Sequence, residues 1–565
     1  MPKYIMPVGK SNFEKVRKDG NYYIDKTDLI RQIVNGGAEV TLFTRPRRFG
    51  KTLNMSMLQN FFDIRKDSKE IFEGLKIADN KELCSKWMNQ YPTIFITFKD
   101  VEGLTFEDAV AQLKNVIYGL YDSHKNLIKS ESVAEDYEID KYKSFLTESA
   151  SENNLTDSLV FLSKLMYNYY HKPVIILIDE YDVPMAKGDL NGYYREITSI
   201  MRLILSKALK DNSYLKFAVL TGCLRIAKES IFTGLNNLKI NSIMDNEYDE
   251  CFGFTDEEIN QLLADTELME YKGKIRQWYD GYHFGNNEVY CPWNVLNYVS
   301  DLQRKPGVAP KNYWVNTSGN DIIRKYLDTG MNPNEDFETL LKGGTICKTI
   351  YEDVTYENLV STEENFWSVL YMTGYLTAVP DKEFVHTLDR DDDYVEDDKI
   401  TLKLVNQEIR ELFARTIAQW FKENIVKDER TELINALWDG DDKKLSSIIT
   451  AYLNNTISYF DYNENFYHAF LAGLFSGIKF YNVKSNDEAG EGRADIIIRN
   501  SRNLRAAILE IKIVNNLKDV PGKSEEALKQ INDRNYAYPL IHEEGLDVLN
   551  YAVVFYKKRC LVTKG

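Results

Sequence analysis

Histidine and cysteine are scarce, with six of each in 565 residues. No two cysteines stand at C-x-x-C spacing, so neither a zinc knuckle nor a redox pair is signalled. Scattered and mostly beside apolar residues, they read as reduced thiols of a cytoplasmic protein. The dispersed histidines argue against a His-rich metal site. Long apolar runs are missing too. The longest, Val174 to Ile178, is far too short to cross a bilayer, so no membrane is expected among the partners. The opening Met-Pro-Lys-Tyr-Ile-Met has no charged region followed by an apolar stretch, so no signal peptide is expected. Glycine (30) and proline (13) are too few for a collagen-like or linker-dominated chain. Positive charge is in deficit: Lys and Arg total 70 against 86 Asp and Glu, a net charge of −16. The chain as a whole is therefore no sequence-blind polyanion binder, and any contact with nucleic acid must come from a local basic surface.

What is present is core material. Hydrophobic residues make up 44% and aromatics 13%, and this length suggests about three to four domains. The first residues are polar with scattered aromatics and read as a helical lead-in. Glu39 to Thr44 reads as a buried strand that runs through Arg45-Pro-Arg-Arg-Phe-Gly-Lys-Thr52 into the helical spacing of Leu53 to Phe62. Further strands are expected at 93–98, 174–178 and 215–220, separated by helical stretches, which implies parallel pairing in an α/β core. The Ser-, Glu-, Asp- and Asn-rich stretch 130–158 reads as an exposed insertion. Beyond about 250 the pattern turns mostly helical, with a helix opening at Thr255 or Asp256, and 389–398 reads as an acidic surface loop. A second α/β pattern starts near 455. It has a helix at 462–478, strands at 494–498, 506–511 and 551–555, and a helix at 524–534.

Gly50-Lys51-Thr52 sits between a strand and a helix. There a P-loop places its Lys on the β- and γ-phosphates, its Thr hydroxyl on Mg²⁺ and the phosphates at the helix N-terminus. The full pattern wants Gly where this chain has Arg45. Pro46 offers another way to set the turn, and the neighbouring arginines, Arg48 among them, add positive charge. Four apolar residues ending in Asp179-Glu180 match a Walker B strand: Asp179 for Mg²⁺, Glu180 to orient the attacking water. One more strand before that one and one after it is the order of additional-strand P-loop ATPases. Thr221 at the tip of the fourth strand would face the γ-phosphate as a polar sensor. Arg225 and Lys228 follow, either as cations for the developing phosphate charge, in cis or from a neighbouring subunit, or as plain surface cations. Trp278 to Phe284 reads as an aromatic packing knot in preference to a site built on His283.

Several segments together resemble the bacterial AAA-ATPase-like proteins. They are Val8-Gly-Lys-Ser-Asn-Phe13, Tyr23-Ile-Asp-Lys-Thr27, Arg45 to Leu53, Asp179-Glu-Tyr-Asp182, Leu220-Thr-Gly222, Ile231 to Asn237, Trp278 to Phe284 and Pro292-Trp293. The resemblance covers nearly the whole chain. It implies that Arg45 belongs to a modified P-loop and that a PD-(D/E)XK nuclease-like domain follows. AAA-type proteins often assemble, so a homo-oligomer is also an expectation.

The C-terminal residues carry that second chemistry themselves. Asp495 opens one strand and Glu510-Ile-Lys512 lies on the next. Side chains two apart on a strand share a face, so Glu510 and Lys512 point together and Asp495 can join them. Two carboxylates can hold Mg²⁺ or Mn²⁺, which lowers the pKa of water and stabilises phosphodiester charge, while Lys512 orients the water. Glu464 matches the acidic residue that a preceding helix often adds to such a metal site. Gln530 matches a polar residue often found beside the lysine, and Tyr538 is expected to shape the same pocket. Arg493 is a candidate phosphate contact.

The expected architecture is an additional-strand P-loop ATPase domain over 1–250, a helical lid and connector over 251–455, and a restriction-endonuclease-like α/β domain over 456–565. Nucleotide contacts are expected from Arg48, Gly50, Lys51, Thr52, Asp179, Thr221 and Arg225. Metal ligands are expected from Thr52 and Asp179 in one site and Glu464, Asp495 and Glu510 in the other. Glu180, Asp495, Glu510 and Lys512 are the expected catalytic groups. The expected function is ATP binding and hydrolysis coupled to metal-dependent cleavage of DNA or RNA. The alternative is a non-cleaving, ATP-driven switch or scaffold whose C-terminal domain only binds a nucleic-acid or protein partner.

Overall fold

The computed structural model describes residues 4–129, 134–147, 149–225, 237–314, 322–323, 325–326, 334–379, 399–424, 427–455, 464–475, 481–489, 492–514, 516–557 and 559–565. They fall into two compact units: 1–319 with 347–410, and 320–346 with 411–565. Among them no helix is long and apolar enough to cross a membrane. The stretches Ile231 to Asn237 (but for its last residue) and 389–398, and Lys228, lie outside the described residues.

The first unit is built on five parallel strands: β1 (Val40–Thr44), β2 (Thr93–Thr97), β3 (Val174–Asp179), β4 (Leu215–Gly222) and β5 (Leu238–Asn241). Their order is β2-β3-β4-β1-β5, so β4 is inserted between β1 and β3, as the additional-strand class requires. β3 is buried along its whole length. Each of its aliphatic side chains contributes about 1.5–3 kcal/mol, which offsets the cost of burying the Asp179 carboxyl at its end. Helices Phe106–Asp122, Glu152–Tyr170 and Tyr194–Leu209 cover the sheet with Leu113, Ile117, Leu159, Leu162, Ile197 and Met201.

The stretch 130–158 is no exposed insertion. Its described part forms a helix, Asp136–Leu146, and the start of the next, whose N-cap Ser151 accepts from the Asn154 amide. Tyr142 and Phe145 are buried, and the Tyr142 hydroxyl donates to the Tyr121 carbonyl. Polar composition reflected the outer faces of these helices and hid the aromatic inner one.

The segment expected as a separate lid and connector is shared between the units. Its beginning packs with the first unit: Phe254, Ile259, Leu262, Ile275, Tyr279 and Tyr298 form one core with Met6. Thr255 and Glu258 close a capping box on helix Asp256–Asp265. Lys26 donates to Glu258 at 2.6 Å, tying the Tyr23-to-Thr27 motif to that helix. Short strands at Tyr282–Phe284 with Asn287–Val289 and at Leu376–Ala378 with Lys399–Leu404 interrupt the helical pattern. The rings of Tyr282 and Phe284 both pack on Phe49 of the loop after β1, so the Trp278-to-Phe284 motif is a packing knot behind that loop.

In the second unit, β6 (Tyr481–Ala489), β7 (Gly492–Asn500), β8 (Arg505–Ile513), β9 (Asp547–Tyr556) and β10 (Arg559–Lys564) pair in sequence order. All pairs are antiparallel except β8 with β9. The two edge strands had no clear signal in the sequence. Leu433, Leu437, Leu445 and Ile449, from helices that begin before residue 456, and Leu471, from the helix Glu464–Phe475, cover one face through Ile496, Ile498, Leu509 and Ile511. Ile531 and Tyr536 pack on the other face, over Ile497 and Ile508. By the alternation of a strand, Asp495, Glu510 and Lys512 lie on that second face.

Candidate functional site

A cleft of about 600 Å³ opens in the first unit at the N-terminus of helix Lys51–Phe62. Backbone conformation explains how the loop works without a glycine at 45. Arg48 and Gly50 supply the left-handed residues, at φ 71° and 80°. For arginine that costs on the order of 1–2 kcal/mol, a strain typical of functional loops. Arg45 is fully buried and serves as a strut. Its guanidinium donates to the Thr44 carbonyl at 2.9 Å and the Asn241 carbonyl at 2.8 Å, joining the ends of β1 and β5. Burial lowers its pKa to about 10, so it stays charged. Arg48 lays its guanidinium over the Trp293 ring, 4.0 Å from the centroid.

Lys51 is buried, and its ammonium donates to the carbonyls of Arg45 at 2.9 Å and Pro46 at 3.0 Å and lies 3.5 Å from the Cys223 sulfur. Thr52 and Glu180 line the same cleft. At the strand tips, Thr221 donates to Asp179 Oδ1 at 2.6 Å. Asp179 Oδ2 is buried and has no hydrogen-bond partner among the described residues. An anionic oxygen held this way fits a ligand for a divalent cation. Glu180 takes a left-handed backbone at φ 52°, and burial raises its carboxyl pKa.

The residues around these tips interlock. Asp182 Oδ2 accepts the amides of Cys223 at 2.8 Å and Leu224 at 3.2 Å, and the Tyr356 hydroxyl at 3.2 Å. The Tyr181 hydroxyl donates to the Leu224 carbonyl, and its ring lies where a Cβ on Gly222 would come within 2.4 Å. Asp182, Tyr356 and Cys223 were not singled out as site residues. Asp182 was quoted within a motif, whereas Tyr356, from far along the chain, had no local signal. Arg225 is not brought into the cleft: it pairs with Asp353 at 2.7 Å and Glu352 at 3.5 Å.

In the second unit, Asp495 and Glu510 are buried neighbours. Asp495 Oδ2 accepts the Ile511 amide at 2.7 Å, and Glu510 Oε1 accepts from Lys512 at 3.0 Å. Glu510 Oε2 is buried without a hydrogen-bond partner among the described residues, which again fits a cation ligand. Burial, helped by Asp495, pushes the Glu510 pKa up to about 7. Lys512 also donates to Gln530 at 2.9 Å, and Gln530 reaches the Tyr536 hydroxyl at 3.4 Å. The aromatic residue behind the lysine is therefore Tyr536, not Tyr538. Tyr538 is 58% exposed and packs at a tilt against the His542 ring, because it faces outward from the short helix Ala537–His542. Arg493, Lys529, Gln530, Arg534 and Tyr536 line an adjoining pocket of about 610 Å³. Glu464 begins a helix, and its side chain lies outside the described residues.

Residues 7–232 match the family described as predicted AAA-ATPase, and residues 462–565 match the PD-(D/E)XK nuclease superfamily. The chain thus carries an ATPase-like segment followed by a nuclease-like one, the architecture its motifs resemble. It is 24% identical over 555 residues, covering 95% of this chain and 94% of the other, to an uncharacterized protein encoded in the vnfD 5′ region of Azotobacter chroococcum mcd 1. Among solved structures, a Walker-type ATPase of Pyrococcus abyssi is matched at 12% identity and a TM-score of 0.36, over 71% of this chain and 97% of that one. A likeness that remote says nothing about activity.

Proposed function

We propose that the first unit binds and hydrolyses ATP, and that the second cleaves phosphodiester bonds in nucleic acid with a divalent metal. The observation that carries the nuclease reading is the grouping of Asp495, Glu510, Lys512 and Gln530 on one sheet face, with one Glu510 oxygen left for a cation. For the ATP site, six cations line the cleft (Lys10, Arg47, Arg48, Lys51, Lys99 and Lys187) against three carboxylates (Glu102, Glu180 and Asp182). That excess, in a chain of net charge −16, suits a triphosphate.

Thr52 and Asp179 would hold Mg²⁺ in the first site. Asp495 and Glu510, with Glu464 as a further candidate, would hold Mg²⁺ or Mn²⁺ in the second. A divalent cation supplies charge stabilisation and makes water easier to deprotonate. The chain's own groups do the rest. Lys51 neutralises phosphate charge, and Glu180 orients water toward the γ-phosphorus. Lys512, fixed between Glu510 and Gln530, orients water toward the scissile phosphorus and stabilises its charge.

The test is cleavage of plasmid and labelled DNA or RNA with Mg²⁺ or Mn²⁺, comparing wild type, Lys512→Ala and Lys51→Ala. Wild-type cleavage lost in Lys512→Ala is expected. Identical products from both on every substrate sink the nuclease reading. The rival reading is a binder that does not cleave. Nucleic-acid binding by wild type without cleavage under any metal would select that rival.

A further inference from the structure

The phosphate loop contains three arginines, and the structure gives them different work. Arg45 is a buried strut between strand ends, and Arg48 is spent on the Trp293 ring. Arg47 alone of the three turns toward the tip of β4. It lines the cleft with Lys51, Glu180, Asp182, Cys223 and Tyr356. Its guanidinium is close enough to Cys223, Tyr356 and Asp182 for each to act on it electrostatically, and it acts in turn on Glu180. Cys223 also lies 3.5 Å from the Lys51 ammonium, so Arg47 and Lys51 share one cleft with that sulfur and with Glu180.

We infer that Arg47 supplies the cation that stabilises the γ-phosphoryl group in flight, from within the same chain and the same loop that holds the phosphates. This rests on the reading of the cleft as an ATP-hydrolysing site and goes beyond it, because it removes the need for an arginine from a neighbouring subunit. In the step, the water oxygen forms a bond to the γ-phosphorus as the bond to the β-phosphate oxygen breaks. ADP and phosphate leave, and the water proton passes to solvent with the product. Charge spreads over the three γ-oxygens, and a planar guanidinium can meet two of them at once. Lys51 meets the resting phosphates from its place on the loop carbonyls. Arg47 reaches from the side where Glu180 sets the water.

The experiment measures steady-state ATP turnover and fluorescent-ATP affinity for the full-length chain, over a wide range of protein concentration. Arg47→Ala is expected to lower kcat about 10²–10³-fold while KM and affinity stay within about threefold. The retained affinity also reports that the variant folds. Arg47→Lys is expected to regain only a small part of the rate, since an ammonium lacks the planar fork. Arg195→Ala, a surface control whose partner is Glu357, is expected to match wild type. Wild-type turnover per chain is expected to be independent of concentration. Three results overturn the proposal while leaving ATP hydrolysis standing: unchanged turnover in Arg47→Ala, a raised KM at full kcat, or turnover per chain that climbs with protein concentration. A wild type that binds no ATP, or binds without turnover, overturns the underlying reading and this proposal together.

Discussion

The two lysines at the centre of the two sites live in opposite company. Lys51 rests on the neutral carbonyls of Arg45 and Pro46, so its charge is not cancelled and the loop presents net positive potential. Lys512 is paired with Glu510 and steadied by Gln530, and what its site leaves over is a buried carboxyl oxygen, Glu510 Oε2, with no hydrogen-bond partner among the described residues. On the proposed reading, one site takes an anion and the other a cation. On that reading the same side chain binds phosphate in one case and guides water in the other, and what differs is its acceptors.

The contrast breaks most sharply at Lys512. Lys512→Ala is expected to lower metal-dependent cleavage at least about 10³-fold while fluorescent-ATP binding is unchanged, and a parallel loss of both would show that the sites are not chemically separate. Lys51→Ala should do the converse. ATP affinity is expected to fall about 10²-fold by titration, with Mn²⁺ affinity at the second site, read by calorimetry, the same as wild type. Equal Mn²⁺ loss in that variant would undo the distinction. Gly222→Ala tests the scaffold under the first site. Its Cβ would press on the Tyr181 ring, so about 1–3 kcal/mol of stability should be lost, seen as an earlier denaturation midpoint. A midpoint equal to wild type would mean that the ring is free to move.

The smallest effect concerns pH. In the folded, metal-free chain Glu510 keeps its proton up to about 7, above its ordinary value of 4.5. The folded state then binds more protons than the unfolded state across that window, so this group's contribution to stability declines as pH rises through it. Glu510→Gln should flatten that decline, and thermal melts in EDTA at pH 5 and pH 8 measure the difference. A variant whose melting temperature falls as steeply as wild type would remove Glu510 as the source.

Most of the fold could be read from residue pattern because its central strands hold continuous apolar runs that lead into chemistry: Val174 to Ile178 before Asp179, and Ala506 to Leu509 before Glu510. The edge strands β6 and β10 could not, since a strand with one solvated face, such as Tyr481-Asn-Val-Lys-Ser485, carries too little apolar signal. At the sites, Lys51, Thr52, Asp179 and Glu180, and Asp495, Glu510, Lys512 and Gln530, were legible because each follows directly from its own strand or helix. Arg225 misled because proximity in sequence to Thr221 does not say which way a side chain leaves the turn. Tyr356 and Tyr536 were hidden for a related reason. Their roles depend on tertiary packing, which no local spacing encodes.

The carboxylate of Asp182 grips the backbone beyond β4 and the hydroxyl of Tyr356 at once. Three stretches of chain, remote along the sequence, are thereby fastened like a latch at the mouth of the phosphate cleft. A displacement of the chain just beyond β4 would be felt at Asp182 and, through it, at Tyr356.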